Sequence, residues 1–134
     1  MDVAIDANIL FRTLISEGEI IELYFHPSLK IYAPERLWLE FQRHKEEIME
    51  KGAFSRHEFD LISSILLARI ELVSIHEYRT FIPKAKEVLK GHEKDEDFLA
   101  LCLLKKCKLW TYEKRFYELG YVISTKEISK KLDA

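Results

Sequence analysis

The stretch Val3-Ala4-Ile5-Asp6-Ala7-Asn8-Ile9-Leu10 decides the predicted fold of this 134-residue chain. Its apolar start ends on a carboxylate, which predicts a short strand buried on both faces of a parallel sheet. A helix is predicted to begin at Asn8. A carboxylate at the end of an apolar strand is costly to bury without a partner, so Asp6 favours a functional role even by itself.

A second strand and helix are predicted downstream. Lys30 to Ala33 form the strand, and Pro34 suits the first turn of the helix that follows, because proline needs no N–H there. That helix is predicted from about Glu35 to Lys51, and Gly52 is placed to end it. Its apolar face is formed by Leu37, Phe41 and Ile48.

Alternating elements continue to the end of the chain. The pattern predicts helices from Ser55 to about Arg69, at Pro83–Leu89 with Gly91 beyond, at Phe98–Leu104 and at Lys126–Leu132, a strand or extended link at Leu72–Ile75, and strands at Leu109–Thr111 and Tyr121–Ser124 with a short helix between them. This alternation predicts a single α/β domain over residues 1–134, a three-layer sandwich with a mostly parallel central sheet.

Composition narrows the class of protein. No apolar run is long enough for a bilayer span and no basic segment precedes an apolar stretch at the N-terminus, so we expect a soluble, cytoplasmic protein without a membrane partner. Cys102 and Cys107 lack the spacing of a zinc or redox site and are interpreted as buried or incidental thiols. The five histidines form no metal-binding pair. The net charge of -2 neither indicates nor excludes a nucleic-acid substrate.

Four carboxylates fall where a parallel sheet places its ligands, beyond the carboxyl ends of the strands. Asp6 ends the first strand, Glu40 lies in the helix after the second, Asp95 opens the apolar helix, and Glu113 follows the Leu109–Thr111 strand. Carboxylates packed closely repel each other unless divalent cations neutralise them, and all-oxygen ligands suit Mg²⁺ or Mn²⁺. The pattern therefore favours phosphodiester hydrolysis at a metal site.

Simpler interpretations exist for the same acidic residues. Asp95, Glu96 and Asp97, taken alone, are charges at a helix start, where the helix dipole favours them. Glu40 alone is typical of a solvated helix residue.

Taken together, these residues resemble the PIN-domain family, over nearly the whole chain and in the same order. The opening segment is similar to that family's first strand with its Asp-x-Asn, here at positions 6 and 8. Pro34 followed six residues later by Glu40 resembles its second acidic position. Asp95 in Asp-Glu-Asp-Phe-Leu-Ala-Leu-Cys resembles the third, and Thr111-Tyr112-Glu113 resembles its Thr/Ser-x-Asp segment. The chain departs from that pattern by having Glu113 where the family usually has Asp.

The resemblance implies an endoribonuclease that cuts single-stranded RNA with Mg²⁺ or Mn²⁺, often the toxin of a toxin–antitoxin pair, with an antitoxin protein as partner. It implies that Asp6, Glu40 and Asp95 hold the principal ion and that Glu113 orients water or a second ion. Asn8 and Thr111 would support the carboxylates by hydrogen bonds. Asp97 is a further candidate metal ligand, in place of or beside Asp95.

Basic residues near the acidic helix give a further expectation. They either guide phosphates or form a solvated surface, and they are Lys105, Lys106, Lys108, Lys114 and Arg115.

Two competing functions and one assembly state remain open. A non-catalytic PIN-like module that binds RNA or a protein is kept in view by Glu113. A phosphatase with a nucleophilic aspartate is disfavoured because Asn8 stands where a second Asp would be expected. A homodimer is predicted from apolar residues of the middle helices that exceed the apparent need of one small sheet, namely Trp38, Phe54, Phe59 and Leu66.

Overall fold

The computed structural model describes residues 1–15, 18–90 and 95–133, except for the side chain of Arg115. The strands are β1 (Asp2–Ile5), β2 (Lys30–Pro34), β3 (Ile70–Val73), β4 (Lys108–Trp110) and β5 (Val122–Ile123). The helices are α1 (Ala7–Ile15), α2 (Glu19–Tyr24), α3 (Glu35–Arg43), α4 (Lys45–Gly52), α5 (Arg56–Ala68), α6 (Ile75–Tyr78), α7 (Ile82–Leu89), α8 (Glu96–Lys105) and α9 (Thr125–Asp133), with 3-10 turns at Arg79–Phe81 and Lys114–Leu119.

The five strands form one parallel sheet in the order β3-β2-β1-β4-β5. The chain builds outward from β1 to β2 and β3, then returns to the other side of β1 with β4. The strand order therefore reverses between β1 and β4, and open parallel sheets bind ligands beyond the strand ends at such a reversal. In the register of these two strands Ile5 lies opposite Trp110, so the residues that follow them are neighbours.

Helices cover the sheet in two layers. Helix α8 packs against β1, β2 and β4 together with α6 and α7, whereas α1 packs against β1 and is surrounded by α2, α3, α4 and α5. The central strands are consequently buried on both faces, with Val3, Ala4 and Ile5 at 0% exposure. The three-layer α/β prediction is confirmed, and the sheet is parallel throughout the part of the chain that the structure describes.

The helix predicted from Glu35 to Lys51 is wrong as a single element. It ends at Arg43, and α4 begins at Lys45 after a turn at His44 with φ -96° and ψ 15°. Its predicted apolar face is nevertheless correct, because Leu37, Phe41 and Ile48 are all buried. The helices before and after this turn both pack on α1.

The helix end after Lys51 also differs from the prediction. Gly52 is the last residue of α4, and Ala53 adopts the left-handed conformation, with φ 55°, that Gly52 was expected to supply. A Cβ on Gly52 would lie 2.2 Å from the Phe54 ring, so the glycine is needed for close packing. The same conformation after α7 is taken by Lys90, and the predicted role of Gly91 lies outside the described residues.

Other predicted boundaries shift by one to three residues. Pro34 ends β2 and precedes α3 instead of lying in its first turn. The extended segment predicted at Leu72–Ile75 is β3, two residues earlier, and the last strand is reduced to Val122–Ile123. The short helices α2 and α6 were not predicted.

The apolar residues that motivated a dimer are mostly used within the chain. Phe59 and Leu66 are buried, and Trp38 and Phe54 pack partly buried against the core. The Trp38, Phe41 and Phe59 rings stack in series, with centroids 5.3 and 5.6 Å apart. These residues therefore supply core packing and no longer support the dimer by themselves.

Candidate active site

Asp6 lies at the end of β1 and is fixed by hydrogen bonds to both carboxylate oxygens. Its Oδ1 accepts the backbone N–H of Ile9 at 3.1 Å, which caps the first turn of α1. Its Oδ2 accepts the hydroxyl of Thr111 at 2.5 Å. Helix α1 and strand β4 thus orient one side chain, at the point where the strand order reverses.

Thr111 connects Asp6 to the segment that carries Glu113. Its side chain is 1% exposed, and its Oγ1 also accepts the backbone N–H of Glu113 at 3.0 Å. The preceding residue, Trp110, is fully buried and donates its indole N–H to Thr125 at 3.0 Å. One hydroxyl therefore holds the first acidic residue and the backbone of the last in a fixed relation.

The electrostatic environment raises the pKa of Asp6. Burial is the main cause, because the charged form loses hydration. Hydrogen bonds from Thr111 and Ile9 oppose the rise, whereas the negative charges of Glu113 and Asp95 add to it. Three acidic residues separated widely in sequence are thus close enough to interact, with Asp95 at the start of α8.

Glu40 and Asp97 form a second acidic pair around Arg36. The Arg36 guanidinium lies 3.3 Å from Glu40 and 3.7 Å from Asp97. Asp97 is 7% exposed and accepts the hydroxyl of Tyr78 at 2.8 Å. The structure therefore gives Asp97 two partners of its own and places an arginine between it and Glu40.

Asn8 lies in the first turn of α1, two residues after Asp6. Together with Glu40 it lines an open cavity of about 320 Å³ between α1, α3 and α4.

The residues fit a hard divalent cation by their chemistry. Across residues 1–15, 18–90 and 95–133, no three His, Cys, Asp or Glu side chains are already gathered closely enough to hold a metal ion. The donors around Asp6 are all carboxylate oxygens, which suit Mg²⁺ or Mn²⁺. Burial is the main cause of the raised pKa of Asp6, and the repulsion from Glu113 and Asp95 that adds to it is the kind of energy that such a cation removes.

The basic residues that were predicted either to guide phosphates or to form a solvated surface are divided between the two ends of the sheet. Lys105 is the last residue of α8, Lys106 follows it, and Lys108 opens β4, so all three lie at the edge opposite Asp6. Lys105 is 3.9 Å from Glu71. For these three lysines the positions favour the predicted alternative of a solvated surface. Lys114 directly follows Glu113 at the correct edge, and the side chain of Arg115 lies outside the described residues.

Three residues of this region were not predicted as functional. Arg36 lies four residues before Glu40, and Arg12 lies four residues after Asn8, so helical spacing gave a local signal for both. The exposed Arg12 has its guanidinium carbon 4.2 Å from the centre of the Tyr112 ring, next to Glu113. Tyr78 gave no such signal, because its contact with Asp97 joins two helices through tertiary packing.

Comparison with known proteins identifies the family of the chain. The family model of the PIN domain matches residues 4–133, and the chain therefore belongs to the PIN-domain family. Among solved structures, a chain of a toxin–antitoxin complex from Klebsiella pneumoniae is similar with a TM-score of 0.68 and 17% sequence identity. The match covers 92% of this chain and 97% of that chain, and at this identity it shows a shared fold. No match was found among curated protein sequences.

In the described part of the chain, no helix has the length and apolar character required to cross a bilayer.

Proposed function

We propose that this protein is a Mg²⁺- or Mn²⁺-dependent endoribonuclease that hydrolyses single-stranded RNA. The observation that carries the proposal is Asp6, partly buried where the strand order reverses, hydrogen-bonded to Thr111, and close enough to Asp95 and Glu113 for both to raise its pKa. Membership of the PIN-domain family supports the same conclusion.

Each side chain has a separate task in this proposal. Asp6, Asp95 and Glu40 hold the principal cation, and Glu113 orients the attacking water or a second cation. Thr111 favours the ionised form of the Asp6 carboxylate by donating a hydrogen bond to it, and Asn8 lines the adjoining cavity with Glu40. When bound, a divalent cation supplies charge neutralisation at the scissile phosphate and lowers the pKa of a water molecule.

Arg36 gives the site a counter-charge of its own. Because its guanidinium lies near both Glu40 and Asp97, it reduces their repulsion when no cation is bound. Glu40 must exchange part of this interaction for the cation. Asp97, held also by Tyr78, is proposed to stay with Arg36 and to help position Glu40.

The test is cleavage of an end-labelled, unstructured RNA in Mn²⁺, in Mg²⁺ and in EDTA. Asp6→Asn and Asp95→Asn should abolish the metal-dependent cleavage. Asp2→Asn is a matched control, because Asp2 begins the strand that Asp6 follows and lies at the opposite edge of the sheet. Cleavage that survives Asp6→Asn, or that is equal in EDTA, would show that a contaminant or another site is responsible.

A second candidate is a catalytically inactive PIN module that binds RNA or protein. The pairing of Glu40 and Asp97 with Arg36 favours it, since those carboxylates are already partnered. Mn²⁺ titration by calorimetry separates the two candidates. If the protein is a nuclease, the wild type should bind Mn²⁺ and Asp6→Asn should not. If it is an inactive module, its binding does not depend on Asp6, and the wild type and Asp6→Asn should bind RNA equally well.

The proposed cellular role is that of a toxin in a toxin–antitoxin pair, acting on cytoplasmic RNA and restrained by an antitoxin protein. The solved complex from Klebsiella pneumoniae supports this by its fold. A homodimer is also proposed, now supported by the exposed apolar side chains of Leu39, Leu61 and Ile65. Light scattering that shows a monomer at high concentration would exclude the dimer.

A further inference from the structure

The cavity beside the proposed metal site has the form of a binding pocket for part of the RNA chain. It runs from Asn8 and Glu40 along α1 toward α4 and has a volume of about 320 Å³. We propose that it binds a nucleobase next to the scissile phosphate, an inference that rests on the proposed nuclease function. The occupant is inferred from the chemistry of the walls and rim.

The walls of the cavity are apolar and partly aromatic. Phe41 and Ile48 are almost completely buried and form its base, and Phe11 is partly buried at its side. The ammonium group of Lys51 lies 5.6 Å from the centre of the Phe11 ring. An aromatic side chain beside a cation is the combination on which proteins stack the bases of single strands.

The rim of the cavity favours a neutral group over a phosphate. Glu47 lies 3.1 Å from Lys51 and 3.6 Å from Nδ1 of His44, and Glu40 is paired with Arg36. The basic groups beside the cavity are therefore already paired with carboxylates, which weakens their attraction for a phosphate or an acidic peptide. Carboxylates do accept hydrogen bonds from the N–H groups on base edges, so a nucleobase satisfies both the apolar walls and the acidic rim.

A path for the sugar–phosphate backbone lies on the adjoining side of α1. Arg12 is exposed, and its guanidinium stacks on Tyr112, beside Glu113. A strand with its base against Phe11 and a phosphate near Arg12 would cross α1 between the cavity and Tyr112. Asp6 caps the first turn of the same helix and Glu113 follows Tyr112, so the scissile phosphate would lie next to the proposed metal site.

The first experiment measures affinity without cleavage. A fluorescein-labelled, single-stranded RNA is titrated in EDTA at low salt with the wild type, Phe11→Leu and Phe25→Leu. Leucine keeps the apolar volume and removes the aromatic face, and Phe25 is an exposed phenylalanine that does not line the cavity. Phe11→Leu should weaken binding about tenfold, and the Phe25→Leu control should stay within about twofold. Thermal unfolding of each variant confirms that it is folded.

The second experiment locates the base. Eight RNAs each carry one abasic nucleotide at a different position. The wild type should lose affinity at one or two adjacent positions, and Phe11→Leu should abolish this position dependence. A loss that is uniform along the RNA, or unchanged in Phe11→Leu, would overturn the nucleobase pocket.

The outcome is distinguishable from failure of the proposed nuclease. RNA cleavage with Mn²⁺ and no positional effect of the abasic nucleotides would keep the nuclease and remove the pocket. A positional effect that depends on Phe11, without cleavage in either ion, would keep the pocket in an RNA-binding module.

Discussion

Replacement of Thr111 by valine should lower stability and cation affinity more than its small change in shape implies. The hydroxyl donates to Asp6 at 2.5 Å and accepts from the Glu113 N–H at 3.0 Å, and valine provides neither interaction. A hydrogen bond to a charged group contributes about 1.5–3 kcal/mol, and an unpaired backbone N–H costs about 1 kcal/mol or more. After allowance for the added apolar methyl, we expect Thr111→Val to lower the free energy of unfolding by about 2–4 kcal/mol.

Thr111→Ser is the matched control for this change. Serine keeps the hydroxyl and loses one buried methyl group, a cost of about 1 kcal/mol. Urea unfolding of the wild type and both variants in EDTA measures the difference. In a chain of this length each kcal/mol corresponds to roughly 3 °C in Tm, so thermal unfolding gives a second measurement.

Thr111→Val should also weaken cation binding. The hydrogen bond from Thr111 lowers the pKa of Asp6, so its removal raises that pKa further and disfavours the ionised form. Mn²⁺ affinity should fall in Thr111→Val, most strongly at acidic pH, and be largely kept in Thr111→Ser. A valine variant as stable as the serine variant, with equal Mn²⁺ affinity, would refute this account of Thr111.

Three further predictions concern single residues. Burial raises the pKa of Asp6, so above that pKa the ionised side chain destabilises the folded protein. In EDTA at pH 7, Asp6→Asn should therefore raise Tm, and the increase should shrink as the pH falls toward the ordinary pKa of an aspartate. An increase in Tm that is equal at every pH would contradict this. Ala53→Gly should raise the free energy of unfolding by about 0.5–1 kcal/mol, because glycine adopts the left-handed conformation of residue 53 without strain. Urea unfolding measures this change. The control variant Gly52→Ala should be no more stable than the wild type. A hydrogen bond from Cys102 lowers the pKa of Cys107, so iodoacetamide should label Cys107 before the buried Cys102. Labelling in the reverse order, measured by mass spectrometry, would exclude this difference in reactivity.

The sheet could be predicted because its strands are short apolar runs separated by helical patterns. The edge on which Asp6, Asp95 and Glu113 come together follows from the parallel direction of the strands alone. The break between α3 and α4 at His44 could not be predicted from helix-breaking residues, because residues 35–51 contain neither glycine nor proline. The helices on its two sides, α3 and α4, both pack on α1, a tertiary contact that local sequence does not mark.

Contacts between side chains on separate helices were beyond sequence reasoning. The approach of Arg36 to Asp97 joins α3 to α8 across 61 positions of the chain, and nothing local marks it. The misplaced lysines have a simpler cause. Helix α8 has 10 residues and is therefore about 15 Å long, so Lys105 at its last position is far from Asp95 before its first.

The hydrogen bond between Asp6 and Thr111 has a consequence for the order of synthesis. A ribosome adds Thr111 to the chain 105 residues after Asp6, and Glu113 comes later still. Until β4 has left the ribosome and inserted beside β1, Asp6 has neither its hydroxyl donor nor its acidic neighbour. The proposed acidic site is therefore completed only after most of the 134-residue chain has been synthesised.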